Sequence, residues 1–274
     1  MKKFFKSILG KKLSRFVSFY MNKEYMPFKY KSLVKPESNY SDFFIYNTKF
    51  FKNVFIAENT FSLLNLKKID VIHKLDFYSK EGNFLKTKLY KSKDFISKIE
   101  LPKFNSNAEY ISFIHETKLD PKKNNLSKID KTLKCVLQHR GYSIFFKNKN
   151  SIGSIVHGNF GAITPSNKKN IGAIIRRKNY SYTPMYLFKK SDSYHLVFNN
   201  PTEKKLKINI HGKSQITNFE VNELITINSF GTEFFILNNF EGKLSFISKL
   251  PICRCIVLKN PELNTLGNFD IFHS

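Results

Sequence analysis

The chain has 274 residues and a formal net charge of +25, from 46 basic and 21 acidic residues. Hydrophobic residues make up 41% of it, which is enough for a globular protein. Such a charge can attract nucleic acid or anionic lipid. However, only five of the basic residues are arginine, and the lysines are scattered along the chain. Nucleic acid is therefore not an expected partner.

The N-terminal segment 2–22 predicts a short, basic amphipathic helix, because apolar residues fall at helical spacing among lysines. These apolar residues are Phe5, Leu9, Leu13, Phe16 and Tyr20. Such a helix can lie on an anionic membrane surface or dock its apolar side on the protein's first sheet. Residues 1–39 are assigned to this helix and a connector.

From residue 40 onward the pattern changes to that of β-strands. Val71–Tyr78 alternates apolar and polar residues, Ser79–Asn83 has the composition of a turn, and Phe84–Tyr90 alternates again. These strands predict a first β-sandwich over 40–119. A polar linker without a strand pattern follows over 120–132.

The segment 133–274 repeats this pattern of short strands and turns, and it predicts a second β-sandwich. The fold class is therefore all-β: two tandem β-sandwich domains, jelly-roll or Ig-like, preceded by the short N-terminal amphipathic helix. A single large jelly roll is the alternative.

The chain contains a faint internal repeat. Residues 43–63 align with residues 143–163 without a gap, and several apolar positions coincide, although only two residues are identical. A tandem duplication explains this match. The alternative is that any two all-β segments share the same rhythm of apolar runs and polar turns.

Composition and motifs give no sign of a cofactor or a metal. No phosphate-binding glycine loop, nucleophile elbow or zinc-protease motif occurs, and three cysteines without a CxxC pair suit a reducing compartment. No secretory signal and no membrane-spanning run is evident. The expected location is the cytoplasm, where the N-terminal helix can hold the protein peripherally to the membrane.

Polar residues gather near the border between the two predicted domains. If the strands 142–146 and 154–157 form an antiparallel pair, His139, Arg140, His157 and Asn159 lie at one end of that pair. His115 and Glu116, near the end of the first half, can face the same cleft. The catalytic candidates are His115, Glu116, His139 and His157. The alternative is that these side chains are solvated separately.

Two further features indicate a ligand. In a chain so rich in lysine, a retained arginine can mark a need for a planar, two-pronged donor, so Arg140 with Arg176 or Arg177 can bind a carboxylate or phosphate. Tyr182 lies in an aromatic cluster that can stack on a sugar. Chance retention of arginine and ordinary core packing of tyrosine are the alternatives.

These features leave three classes of function open. The first is a non-catalytic protein that binds an acidic sugar or a phosphate-bearing ligand at the junction of its halves, through Arg140, Asn159, Arg176, Arg177 and Tyr182. The second is an enzyme that uses the His/Glu/Arg cluster at the same junction. The third is a structural or membrane-surface scaffold.

Overall fold

The described part of the chain is built almost entirely from β-strands. The computed structural model describes residues 38–104, 107–120, 122–123, 141–147, 153–158, 178–202, 204–214, 219–250, 253–262 and 270–273. The prediction of an all-β fold is confirmed. The predicted helix over 2–22 and most of the predicted linker over 120–132 lie outside the described residues.

The described elements are, in chain order, β1 (Ser38–Asn47), β2 (Lys52–Glu58), α1 (Thr60–Asn65), β3 (Val71–Tyr78), β4 (Phe84–Ser92), β5 (Ile96–Glu100), β6 (Tyr110–Leu119), β7 (Tyr142–Phe146), β8 (Ser154–His157), β9 (Tyr180–Tyr182), β10 (Tyr194–Asn199), β11 (Leu206–Ser214), β12 (Glu220–Ile227), β13 (Thr232–Leu237), β14 (Gly242–Ser248), β15 (Ile256–Lys259) and β16 (Asp270–His273). The short helix α1 is not expected from the apolar pattern. It begins where the Asn59 side chain accepts a hydrogen bond from the Ser62 backbone N–H at 3.1 Å.

The strands form four antiparallel sheets. Sheet A has the order β1-β6-β3-β4, and sheet B has the order β5-β2-β7-β8. Sheet C has the order β12-β11-β14-β9, and sheet D has the order β13-β10-β15-β16. In β11 the residues Leu206, Ile208 and Ile210 are buried while their neighbours are more exposed, which is the burial pattern of a strand with one face on a core.

The second set of eight strands repeats the topology of the first. When eight is added to each strand number of sheets A and B, the orders of sheets C and D result. Strands β7 and β8 therefore complete the first set, because β7 pairs with β2. The predicted domain bounds 40–119 and 133–274 accordingly divide sheet B between them.

The gapless alignment of 43–63 with 143–163 matched strands that are not equivalent. It placed β1 on β7 and β2 on β8, whereas the sheet orders make β9 the counterpart of β1 and β10 the counterpart of β2. The physical reason is that short antiparallel strands share a two-residue period, so apolar positions coincide at several offsets.

Three apolar cores join the four sheets. The first core lies between sheets A and B and includes Phe44, Phe55 and Phe113. The second lies between sheets C and D. The third joins Ile45 of sheet A and Phe145 and Val156 of sheet B to Val197 of sheet D. Sheets A and D are therefore covered on both faces, which explains why nearly every residue of β6 and β10 is buried.

Two turns hold the halves of the chain together beside the third core. The turn between β3 and β4 meets the turn between β12 and β13, where the Thr232 N–H donates to the Lys80 carbonyl at 2.9 Å. The Phe230 ring lies 5.4 Å from the Tyr78 ring. Gly82 is the closest approach, with a φ of +89° and no room for a Cβ beside the Ser229 carbonyl oxygen. We call this pair of turns the clasp.

The clasp gives a first testable prediction, for Gly82→Ala. A Cβ at this position would lie 1.8 Å from the Ser229 carbonyl oxygen and would occupy a left-handed conformation. We expect the free energy of unfolding to fall by about 2–4 kcal/mol. Urea denaturation measures this, with Asn83→Ala in the same turn as the control, since Asn83 is exposed. Equal effects of the two substitutions would contradict the role of Gly82.

Candidate functional site

Five of the residues predicted to form a site lie outside the described part of the chain. They are His139, Arg140, Asn159, Arg176 and Arg177. Their convergence at one rim remains a prediction.

The other three members of the predicted junction cluster lie on different surfaces. The His115 side chain lies in the core between sheets A and B, where its ring is 4.9 Å from the Phe55 ring. Glu116 is the next residue along β6 and faces the opposite side of sheet A. His157 lies on the outer face of sheet B, with its ring 5.0 Å from the Tyr142 ring. The structure does not bring these three side chains together.

Tyr182 lies in the second half of the chain, away from the other described candidates. It belongs to β9, at the edge of sheet C, and is paired with Phe246. The two rings are stacked at 6.4 Å, and Tyr182 packs partly buried against the second core. Its position is that of a packing residue.

His115 belongs instead to a buried polar cluster. His73 Nδ1 lies 3.0 Å from His115 Nε2, and the Thr117 hydroxyl lies 3.4 Å and 3.3 Å from these two nitrogens. All three side chains are fully buried. They neighbour one another because β3 and β6 pair in register, with His73 opposite Thr117 and His115 two residues before Thr117 on the same face of β6. We call these residues the imidazole cluster.

The second half of the chain shows which side chains the fold accepts at the positions equivalent to the imidazole cluster. When the first residues of β3 and β11 are taken as equivalent, the strand registers place Ile208, Phe246 and Ser248 at the positions of the imidazole cluster. Ile208 and Phe246 are fully buried. The topology therefore accepts apolar side chains where the first half has two imidazoles.

A second polar arrangement lies at the edge of the third core, on the turn between β1 and β2. The buried Asn47 side chain accepts hydrogen bonds from the backbone N–H groups of Lys49 at 3.1 Å and Phe50 at 2.6 Å. The Asn53 side chain in turn donates to the Asn47 carbonyl at 2.5 Å. The Thr48 N–H donates to the Glu109 carbonyl at 2.8 Å. These bonds fix the turn and the direction in which Phe50 points.

Two ammonium groups lie near the Phe50 ring, and one of them lies closer still to the Phe51 ring. Lys49 Nζ lies 4.8 Å from the centre of its ring, and Lys147 Nζ lies 5.9 Å from it on a strand end from sheet B. The Lys147 ammonium also donates to the Pro261 carbonyl, beyond the end of β15. Lys147 therefore links the turn that carries Phe50 to the segment after β15. We call Lys49, Phe50, Glu109, Lys147 and Glu262 the junction rim.

Two carboxylates balance the charge of the junction rim. Glu109 Oε1 is 2.9 Å from Lys49 Nζ, and this hydrogen bond raises the pKa of Lys49. Burial lowers the pKa of Lys147, and the charge of Glu262 opposes that change. Burial therefore works against the charged form of Lys147, and a bound anion would offset that effect.

Beneath the junction rim, a buried hydrogen bond crosses between the halves of the chain. The Tyr110 hydroxyl lies 2.8 Å from His195 Nδ1. Burial lowers the pKa of His195 and raises the pKa of Tyr110, so both side chains are neutral near pH 7. The Phe234 ring stacks on the imidazole at 5.3 Å. This pair supports the rim from below.

The described residues contain no cluster of side chains suited to bind a metal ion. They contain no group of three or more His, Cys, Asp or Glu side chains arranged to hold a metal ion. Burial raises the pKa of the Cys253 thiol to about 12, so the thiolate needed for metal binding or nucleophilic attack is not formed at neutral pH. The imidazole cluster offers two imidazole nitrogens, whereas a structural zinc site needs four Cys, His or carboxylate ligands.

Comparison with known proteins does not assign a family. No model of a known protein family matches the chain, and no curated protein sequence does so either. None of the helical residues that the structure describes forms a segment of the length and hydropathy needed to cross a membrane.

Sequence patterns did not single out the junction rim. Lys49 and Lys147 are two among many lysines, and His195 has the pattern of an ordinary strand residue. The available signal is the spacing of Asn47 and Asn53, two asparagines that flank a short turn between apolar runs. It indicates a turn held by side-chain hydrogen bonds, and it does not reveal which residues distant in sequence contact that turn.

The imidazole cluster gives a second prediction. The single substitution His115→Phe should lower the free energy of unfolding by about 2 kcal/mol, because it leaves the buried His73 with fewer hydrogen-bonding partners. The double substitution His73→Ile/His115→Phe introduces the side chains of the second half and should cost less than the single one. Urea denaturation compares them. A double variant that is less stable than the single variant would contradict this account.

A third prediction concerns pH. Because burial lowers the pKa of His195 in the folded state, the unfolded chain binds more protons between that pKa and about 6.5. Stability should therefore fall as the pH is lowered from about 7.5 to about 5. In His195→Gln this loss should be smaller by about 1 kcal/mol. Urea midpoints at both pH values measure it, and His211→Gln on β11 is the control. An unchanged pH dependence in His195→Gln would contradict the prediction.

Proposed function

We propose that this chain is a non-catalytic binding protein for an acidic sugar or another anionic ligand, and that the ligand binds at the junction rim. The observation that carries the proposal is the placement of Lys49 and Lys147 around the half-buried Phe50 ring. Two cations beside an aromatic ring suit a ligand that combines a carboxylate or phosphate with a carbon-rich face.

The fold proposed with this function is a pair of β-sandwich domains of the jelly-roll type. Eight strands per half, with successive strands passing between two facing sheets, support a jelly roll over an Ig-like arrangement. The proposed domains run over 38–158 and 178–273, so that β7 and β8 stay with the strands they pair with. The ligand then lies where the two domains meet.

Preorganisation supports binding at this place. The turn that carries Lys49 and Phe50 is fixed by Asn47 and Asn53, so little conformational entropy is lost when a ligand orders it. Lys147 has its ammonium held at the Pro261 carbonyl. An anion that bridges the two ammonium groups would contact both halves of the chain at once.

A non-catalytic role is favoured by the state of the titratable groups near the rim. His195 and Tyr110 are buried, hydrogen-bonded to each other and neutral near pH 7. A general acid or base needs a pKa near the working pH and access to the substrate.

The fourth prediction tests this proposal with inorganic phosphate and glucuronate as probes. A saturating ligand should raise the melting temperature of the wild type by about 2–5 °C. Lys147→Met keeps the apolar stem of the side chain and removes the charge, and it should abolish most of this increase. Lys49→Met should reduce it. Isothermal titration calorimetry on the same proteins gives the affinities.

Lys190→Met is the matched control, because Lys190 is an exposed lysine in the second half of the chain. It should leave the thermal shift unchanged. A shift that is lost equally in Lys190→Met would reflect overall charge, and a wild type that responds to neither probe would remove the junction rim as an anion site.

A further inference from the structure

Strands β4 and β12 are equivalent edges of the two halves. Each is the last strand in its sheet, β4 in sheet A and β12 in sheet C, and no other described strand pairs with the outer edge of either. They have nine and eight residues. An unpaired edge of this length presents a row of backbone N–H and C=O groups to which another strand can add.

The two edges carry opposite charges. The sequence of β4 is FLKTKLYKS, with three lysines and no acidic residue. The sequence of β12 is EVNELITI, with two glutamates and no basic residue.

The equivalence extends to individual residues. When β3 and β11 are matched at their first residues, the registers make Lys88 equivalent to Glu223 and Leu89 equivalent to Leu224. Both leucines are well exposed, at 61% and 57%. Each edge therefore presents a leucine beside a charge, and only the sign of the charge differs between them.

We propose that β4 of one copy of this chain pairs with β12 of a second copy. The backbone groups of the two edges complete a ladder, the exposed leucines approach each other, and lysines of one copy face glutamates of the other. The charges also select against the other pairings. Two β4 edges would place lysines against lysines, and two β12 edges would place glutamates against glutamates.

Charge reversal on one edge at a time tests this pairing in the full-length chain. Sedimentation equilibrium should show the wild type rising in mass above 32.1 kDa with concentration. The association should weaken as salt is raised from about 50 mM to about 500 mM. The variants Lys88→Glu/Lys91→Glu and Glu220→Lys/Glu223→Lys should each associate about tenfold or more weakly than the wild type.

Mixing the two variants separates this proposal from a general charge effect. The first variant has two acidic edges and the second has two basic edges, so neither variant should pair with itself. In the mixture, the acidic β4 of the first variant is complementary to the basic β12 of the second. The equimolar mixture should recover an affinity within about threefold of the wild type. The variant Lys207→Glu/Lys243→Glu changes exposed residues of the inner strands β11 and β14 and should associate like the wild type.

Three results would overturn the pairing. A wild type that stays at 32.1 kDa at its highest soluble concentration would exclude pairing with a second copy. Variants that associate as strongly as the wild type would exclude β4 and β12. A mixture that fails to recover the association would exclude their complementarity.

Discussion

The burial of sheets A and D on both faces is the constraint on which the rest of this structure depends. Each of these sheets shares one core with the other sheet of its own half and a second core with the opposite half. Their strands β6 and β10 consequently lack a solvent-exposed face, so their polar side chains must form hydrogen bonds inside the protein. The hydrogen bond between Tyr110 and His195 is the main result of that requirement, since it satisfies two buried polar groups across the middle layer.

The same constraint decides where a ligand can bind. The space between the halves is filled by apolar side chains in its described part, so polar chemistry is confined to its edge. At the edge of the third core, the turn between β1 and β2 supplies Phe50 and the end of β7 supplies Lys147. The segment after β15 supplies Glu262. Rigid packing below and hydrogen bonds within the turn hold these groups in place. The junction rim is therefore positioned by the fold and owes little to a local motif.

Sequence patterns predicted the strands well and their partners poorly. Alternation located β3 at its exact bounds and β4 closely, because a half-buried strand leaves a two-residue signature. The assignment of β7 to sheet B depends on hydrogen bonds to β2, about 90 residues earlier, which no local pattern contains. For the same reason His115 and His157, which both looked like strand-end residues near a cleft, lie on opposite sides of sheet B. The alternation of apolar and polar residues shows which face of its strand a residue occupies. It does not show which sheet or solvent region that face contacts.

The repeated topology also has a consequence for how such a chain could arise. The contact between the halves is not symmetric, since it joins sheets A and B of the first half to sheet D alone of the second. Separate eight-strand ancestors joined in this manner would have formed either rings or open chains of indefinite length. Covalent fusion of two such ancestors supplies the partner at a fixed stoichiometry, and the exposed lysines of strands β11 and β14 make the outer face of sheet C a poor surface for a third.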